Sequence, residues 1–275
     1  MFEDISKIVL VSDMDGTLLT SQKKVSEVDR KALEKFINFG GKFTIATGRT
    51  IQSFEQYNAI FDLKMPIIMY NGAAIYDYNA QSLLYTQPLP DSAKTMTAEI
   101  LAAFPQVGGE VLKTDGTYVF RNNDYQKLHT KLCNIIPNYA EVNDIENGGW
   151  LKVLFAMAPE DIPMLEIYVK QRGYSGVSFV KSSEIFYEML PENVTKGTAL
   201  EQYRQLGGMD GLIFAAIGDF DNDIDMLNKA DISAAPSNAE DSVKAAADIV
   251  LKNSCDTGAV AEFVDYLIER SGRCQ

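Results

Sequence analysis

The sequence predicts an α/β protein: a doubly wound, Rossmann-like core on a parallel sheet, with an α+β module inserted into it. Two observations carry that expectation. Strand and helix signals alternate through the first quarter of the chain, and the same rhythm returns near the C-terminus. Between them, from about Leu83 to Met189, the texture changes to paired strands joined by short turns. Head and tail (residues 1–82 and 190–275) are therefore expected to share one sheet, with residues 83–189 as the insertion.

The first strand is a β-branched run, Lys7 to Ser12. Helical periodicity follows from Ser26 to Phe39 and is closed by Gly40-Gly41. A short strand, Phe43 to Ala46, another helix and an apolar run, Pro66 to Tyr70, complete the first part. In the insertion, GEVLKTDGTYVFR reads as two strands around the turn Asp115-Gly116. It is followed by a helix, the strand WLKVLFAMAP, a second helix and the strand segment GVSFVKSSEIFYEML. Gly197 to Leu206 reads as helix, Leu212 to Ile217 as a fully buried strand, and Asp221 to Asn228, Ala239 to Ala247 and Ala259 to Arg270 as helices.

Composition excludes several classes. The 275 residues are 46% hydrophobic and 23% charged, an ordinary globular balance. With 38 acidic against 25 basic side chains, the formal charge is −13, a field that repels nucleic acid and anionic membranes. Cys133, Cys255 and Cys274 lie far apart with no CxxC pair, so neither a disulfide framework nor a cysteine zinc site is expected. No run approaches the ~18 apolar residues of a membrane span, and the N-terminus is unlike a secretory signal. The expectation is a soluble protein of a reducing, cytoplasmic compartment, with no obligate protein partner evident.

In a parallel sheet, ligands bind beyond the carboxyl ends of the strands. The residues at those ends are Asp13 and Asp15; Thr47, Gly48 and Arg49; Asn71 and Gly72; and Gly218, Asp219, Asn222 and Asp223. Several carboxylates converging on one rim cannot all ionise without a cation. Hard oxygen ligands of this kind suit Mg²⁺, which is commonly completed by a substrate phosphate. A calcium loop over GDFDNDID fails, because Ile224 and Ala230 stand where the sixth-position glycine and twelfth-position glutamate belong.

DMDGT at 13–17, TGR at 47–49, Lys196 in TKGTAL and GDFDND at 218–223 stand in the order of the four motifs of the haloacid dehalogenase superfamily. Together with a cap-sized insertion between the second and third, the chain resembles the Cof-type phosphatases of that superfamily over nearly its whole length. The resemblance implies that Asp13 is the nucleophile and forms an aspartyl-phosphate. It implies that Asp15 moves the protons, with a raised pKa among crowded carboxylates, while its backbone carbonyl ligates the metal. Thr47 and Gly48 would hold the transferring phosphoryl group, and Lys196 would offset charge between nucleophile and phosphate. The other carboxylate oxygen of Asp13 would bind the metal, Asp219 would be a direct metal ligand, Asp223 would orient metal-bound water or Lys196, and Asn222 would reach the phosphate. The implied cofactor is Mg²⁺ and the implied substrate a small phosphorylated metabolite, sugar phosphates leading. A phosphosugar mutase and a non-catalytic phosphometabolite sensor are the alternatives.

Plainer readings stand beside these. Asp-Gly is a common turn, Thr47 could cap a helix, and a lone lysine is usually solvated. Asn71 is as well suited to an Asx-turn as to a substrate contact, and Arg49 to pairing with a nearby carboxylate. On the predicted helix DYQKLHTKLCNII, a surface histidine at 129 and a half-buried thiol at 133 are expected rather than a metal pair, and Trp150 is expected in the core. Tyr118, Arg121, Lys152 and Lys181 could face either pocket or solvent. Phe220 and the Pro236-Ser237 turn depart from the family pattern without touching a proposed catalytic group.

Overall fold

The computed structural model describes residues 4–61 and 63–271; Cys274 lies outside the described residues. The core is a five-stranded parallel sheet in the order Ile249–Val250, Ile232–Ala235, Ile213–Ile217, Ile8–Ser12, Lys42–Ile45. The strand Ile8–Ser12 is buried along its whole length, because alternate residues enter different cores. Ile8 and Leu10 pack with Leu33, Phe36, Phe263 and Leu267, whereas Val9 and Val11 pack with Leu200, Tyr203, Phe214 and Met226. Helices on both faces are what turn an alternating strand pattern into a continuous apolar run. The helix Glu27–Asn38 starts at Ser26, whose hydroxyl accepts from the Asp29 amide at 3.0 Å. Asp29 is itself buried and accepts from the Ala261 amide at 2.7 Å, tying this helix to the start of Ala259–Arg270.

Ile67–Met69 departs from the expected parallel series. It lies alongside the sheet through a parallel bridge at Ala46 and Ile68, but its ladder is antiparallel, in a three-stranded sheet with Ala74–Asp77 and Ser82–Thr86. The cause is local. Tyr70, Asn71 and Gly72 all have positive φ (53°, 56° and 105°), so the chain reverses at once instead of crossing over through a helix.

The insertion holds a six-stranded sheet ordered Val177–Ser183, Phe186–Pro191, Trp150–Ala156, Gly108–Lys113, Gly116–Arg121, Asn138–Tyr139. The hairpin closes with Lys113 opposite Gly116, so the turn is Thr114-Asp115. One face of this cap sheet presents Val111, Val153, Phe155 and Met189 to the helices Ala93–Ala103 and Ile162–Arg172, and Trp150 is buried in that core. The other face carries Leu112, Leu154 and three charges, Glu110, Lys152 and Glu188. The expected boundaries at 82/83 and 189/190 fall inside strands Ser82–Thr86 and Phe186–Pro191, so the crossings between sheets come after Thr86 and after Pro191.

A Cβ at Gly72 would strike the Thr195 carbonyl, just before the helix Lys196–Arg204, and φ of +105° disfavours any side chain there. Gly72→Ala is expected to lower the unfolding free energy by more than about 1 kcal/mol, read as a denaturant midpoint. A midpoint equal to that of the parent protein would contradict this account of the turn.

Candidate active site

Asp13 follows the strand Ile8–Ser12, and its amide donates to the Ile217 carbonyl at 2.8 Å, holding the ends of two neighbouring strands in register. Asp219 and Asp223 follow Ile213–Ile217. Lys196 opens the helix whose N-cap is Thr195. The Lys196 ammonium, only 1% exposed, donates to Asp13 Oδ1 at 2.5 Å and to Asp223 Oδ1 at 2.7 Å. Asp223 Oδ2 accepts from the amides of Asp219 and Phe220 at 3.0 and 3.1 Å, and Asp219 Oδ1 accepts from Thr17 Oγ1 at 2.7 Å. Asp13, Asp219 and Asp223 each offer an oxygen within 4.8 Å of the others. Glycine makes this crowding feasible: Gly16, at φ +94°, has the Asp219 carboxylate where a Cβ would be, and a Cβ at Gly218 would stand 2.5 Å from Asp223.

One ammonium cannot neutralise this group. Burial pushes the Asp13 carboxyl up to about 6 despite Lys196, with Asp223 adding to the rise. Burial, then repulsion from Asp13 and Asp223, pushes Asp219 up to about 8. Carboxyls held protonated by their neighbours are what a hard cation would displace protons from, so the donor set fits a divalent ion.

The Asp15 side chain is turned out of this cluster. It accepts from Arg49 Nε at 2.7 Å and Nη2 at 2.8 Å, and from Lys23 Nζ at 2.8 Å. Burial raises its pKa, but Arg49 and Lys23 outweigh burial and hold the carboxyl well below the usual carboxylate range. The expected elevation is therefore reversed. The crowding carboxylates lie on the far side of Gly16, and a bidentate guanidinium lies on the near side. The alternative reading of Arg49 as a carboxylate partner holds, although its Nη1 is buried with no hydrogen-bond partner among the described residues.

Thr47 and Gly48 sit at the end of Lys42–Ile45. The Thr47 amide donates to the Ile68 carbonyl at 2.9 Å, and its hydroxyl oxygen accepts from the Arg49 amide at 3.2 Å. Asn71 Oδ1 would be 2.7 Å from a Cβ at Gly48, and accepts from Asn222 Nδ2 at 3.1 Å. Asn71 Nδ2 donates to Glu188 Oε2. Glu188 Oε1 accepts from Lys152 Nζ at 2.9 Å, and Lys152 also donates to the Gly48 carbonyl at 2.9 Å. These groups face a cavity of about 390 Å³, lined also by Leu112, Leu132, Ile135, Phe186, Ser182 and Ser183.

The family can be read directly: the model of the haloacid dehalogenase-like hydrolases matches residues 10–264. The chain belongs to that family. Among relatives, a pyridoxal phosphate phosphatase of Escherichia coli is 26% identical over 93% of this chain and 97% of its own length. A 5-amino-6-(5-phospho-D-ribitylamino)uracil phosphatase of Bacillus subtilis is 28% identical over 93% and 96%. A haloacid dehalogenase-like hydrolase from Bacteroides thetaiotaomicron shares the fold with TM-score 0.82 at 22% identity, covering 94% of this chain and 98% of its own. This hydrolase is thus an enzyme of the phosphatase kind.

The hydrolase brings Asp13, Asp219, Asp223 and Lys196 into contact, and places Thr47, Gly48, Asn71 and Asn222 along one cavity with them. Of the undecided cap residues, Lys152 faces the cavity. Arg121 donates to the carbonyls of Leu101, Phe104 and Pro105 at 3.1–3.2 Å, Tyr118 lies against Lys113, and Lys181 pairs with Glu184 at 3.0 Å. Lys23 and Glu188 were not anticipated. A single charge inside an apolar strand, as in FYEML or WLKVLFA, is the signal that marks Glu188 and Lys152. His129 is not on the surface: it is turned against buried Glu110 at 2.9 Å.

Asp13 and Asp219 bind protons more tightly folded than unfolded. Their contribution to stability is complete below the unfolded value of 3.8 and is lost as pH rises through about 6 and about 8. Melting in EDTA should therefore fall from about pH 5 to about pH 8, and a divalent cation should raise Tm most at the upper end. Asp219→Asn should flatten that cation response; an equal cation-induced shift at both pH values in the parent protein would refute the assignment.

Proposed function

We propose that this hydrolase is a Mg²⁺-dependent phosphomonoesterase working through a phosphoaspartate on Asp13. The observation that carries the reading is the Lys196 ammonium clamped between Asp13 and Asp223, with Asp219 completing the acidic set at a strand-end rim. Asp13, Asp219 and Asp223, with the backbone carbonyl of Asp15, would hold Mg²⁺, which would supply charge neutralisation for the phosphoryl oxygens. Lys196 offsets the repulsion between the Asp13 carboxylate and an incoming phosphate, the main obstacle to attack. The Thr47 hydroxyl and the Gly48 amide position the transferring group, and Asn71 and Asn222 hold its rim. Asp15 protonates the leaving oxygen and then takes a proton from the water that cleaves the intermediate. Its resting pairing with Arg49 and Lys23 means that it must gain a proton as it leaves them.

The leaving group lies against the cap sheet. Leu112, Leu132, Ile135 and Phe186 offer it an apolar wall, which favours an ester whose leaving group has a flat or apolar face, such as the heterocyclic esters named for the two relatives. Sugar phosphates are the second reading, supported by the polar edge of Ser182, Ser183 and Glu184.

Inorganic phosphate released with Mg²⁺ should accumulate from at least one small ester in a panel containing pyridoxal 5′-phosphate and hexose phosphates. Asp13→Asn should reduce release to background. Phosphate that moves between positions of a sugar without appearing in solution would instead indicate a mutase. Asp15→Asn should lose about 10²–10⁴ in turnover, yet still give one equivalent of p-nitrophenolate from p-nitrophenyl phosphate, whose leaving group needs no acid. A missing burst would remove Asp15 from the proton-transfer role.

A further inference from the structure

The cavity wall facing the acidic rim carries a nucleophile that the proposed reaction does not use. Cys133 caps the helix Asp124–Leu132, is half-buried, and lines the cavity with His129 one turn earlier. Its amide donates to the His129 carbonyl at 2.9 Å, which holds the two residues one helical turn apart on the same cavity wall. Behind the imidazole, Glu110 is fully buried on the cap sheet, with Oε1 2.9 Å from His129 Nδ1 in an off-line ion pair and Oε2 accepting from Gln126 at 3.0 Å. The ring meets Phe186 edge-on, with centroids 5.0 Å apart, so it cannot swing freely. Glu110 and His129 are thus paired, and Cys133 stands one helical turn on along the same cavity wall, where an imidazolium favours the thiolate of a nucleophilic cysteine.

The cations around the cavity favour the thiolate, and Asp15 opposes them. Burial opposes an imidazolium, but Glu110 outweighs it and His129 is pushed up to about 10. Burial raises the Cys133 thiol, yet His129 and, from across the cavity, Arg49 outweigh burial and the opposing Asp15, and bring it down. Lys23 lines the same cavity as Cys133. The helix C-terminus, which disfavours an anion, is overcome by these cations.

We propose that Cys133 is a modification site: a thiolate, paired with a His129 imidazolium oriented by Glu110, that attacks small peroxides in the cavity and closes it to substrate when oxidised. The sulfur forms a bond to one peroxide oxygen as the O–O bond breaks. Sulfur loses two electrons to give a sulfenic acid, and the departing oxygen takes a proton from His129 or water and leaves as water or alcohol. A dithiol restores the thiol, releasing water and forming its own disulfide. The added oxygen projects into the space the leaving group needs, beside Leu132 and Ile135.

Labelling of the full chain with iodoacetamide near pH 7, read by peptide mass spectrometry, tests the thiol. Cys133 should react about tenfold or more faster than Cys255, whose thiol burial raises. His129→Asn should slow Cys133 while leaving Cys255 unchanged. Equal rates at the two cysteines, or no effect of His129→Asn, would overturn the proposal. Hydrogen peroxide should then place a dimedone-reactive group on Cys133 and abolish release from p-nitrophenyl phosphate, reversibly with dithiothreitol, and Cys133→Ser should resist. Full turnover with Cys133 oxidised would overturn the closure. This second arm rests on the phosphatase reading; a protein inactive before peroxide speaks against that reading, and labelling still decides the thiol.

Discussion

Everything at the rim depends on one buried ammonium. Lys196 lies between Asp13 and Asp223, and its own burial works against its charge while those two carboxylates hold it protonated. The partners come from opposite ends of the chain, 183 and 27 residues away in sequence, so the contact exists only once the parallel sheet has joined head to tail. Removing one member of such a group leaves a charge buried without its partner, which is far more destabilising than the pair is stabilising. Three carboxyls against one ammonium still leave an excess of negative charge. A phosphate ester would add to that excess, and a further cation held by the same carboxylates would offset it.

Asp13 and Asp15 show how position within one turn separates two identical side chains. Gly16 lets the Asp219 carboxylate approach on one side, and Asp13 shares that crowded field and holds its proton more tightly than an ordinary aspartate. Asp15 faces Arg49 and Lys23 instead and holds its proton more weakly. Opposite displacement of neighbouring carboxyls is how a site assigns different tasks to them. Here the pairing with Arg49 and Lys23 keeps Asp15 ionised, so any role as an acid would require it to move away from Arg49.

The rim was legible in the sequence because of topology: residues just past the strands Ile8–Ser12, Lys42–Ile45 and Ile213–Ile217 must meet at one edge of a parallel sheet. Buried strands were visible as continuous apolar runs, and Ser26 and Gly40 marked the ends of the first helix. The short strands Ile232–Ala235 and, at the sheet edge, Ile249–Val250 were not visible, since ISAA and a pair of residues carry too little pattern to register. The reversal at Tyr70-Asn71 escaped because two non-glycine residues adopt positive φ there, against local preference. The Asp15 shift and the burial of His129 depend on partners 34 and 19 residues distant, Arg49 and Glu110, and distance along the chain hides such pairings.

The peptide linking Gly48 to Arg49 shows how the cap sheet reaches the chemistry. Its carbonyl accepts from Lys152 of the cap sheet, and its N–H donates to the Thr47 hydroxyl oxygen. A hydroxyl has one proton to give, and with its oxygen already accepting, that proton is directed to another acceptor. Lys152 is in turn held by Glu188, which accepts from Asn71, which accepts from Asn222 on the core. A chain of bonds therefore runs from the cap sheet through one peptide to the Thr47 hydroxyl, and returns to the core through Asn71. Displacing Glu188 from Lys152 would loosen the peptide and the asparagine together, so a ligand that engages the cap sheet would also act on Thr47, Gly48 and Asn71.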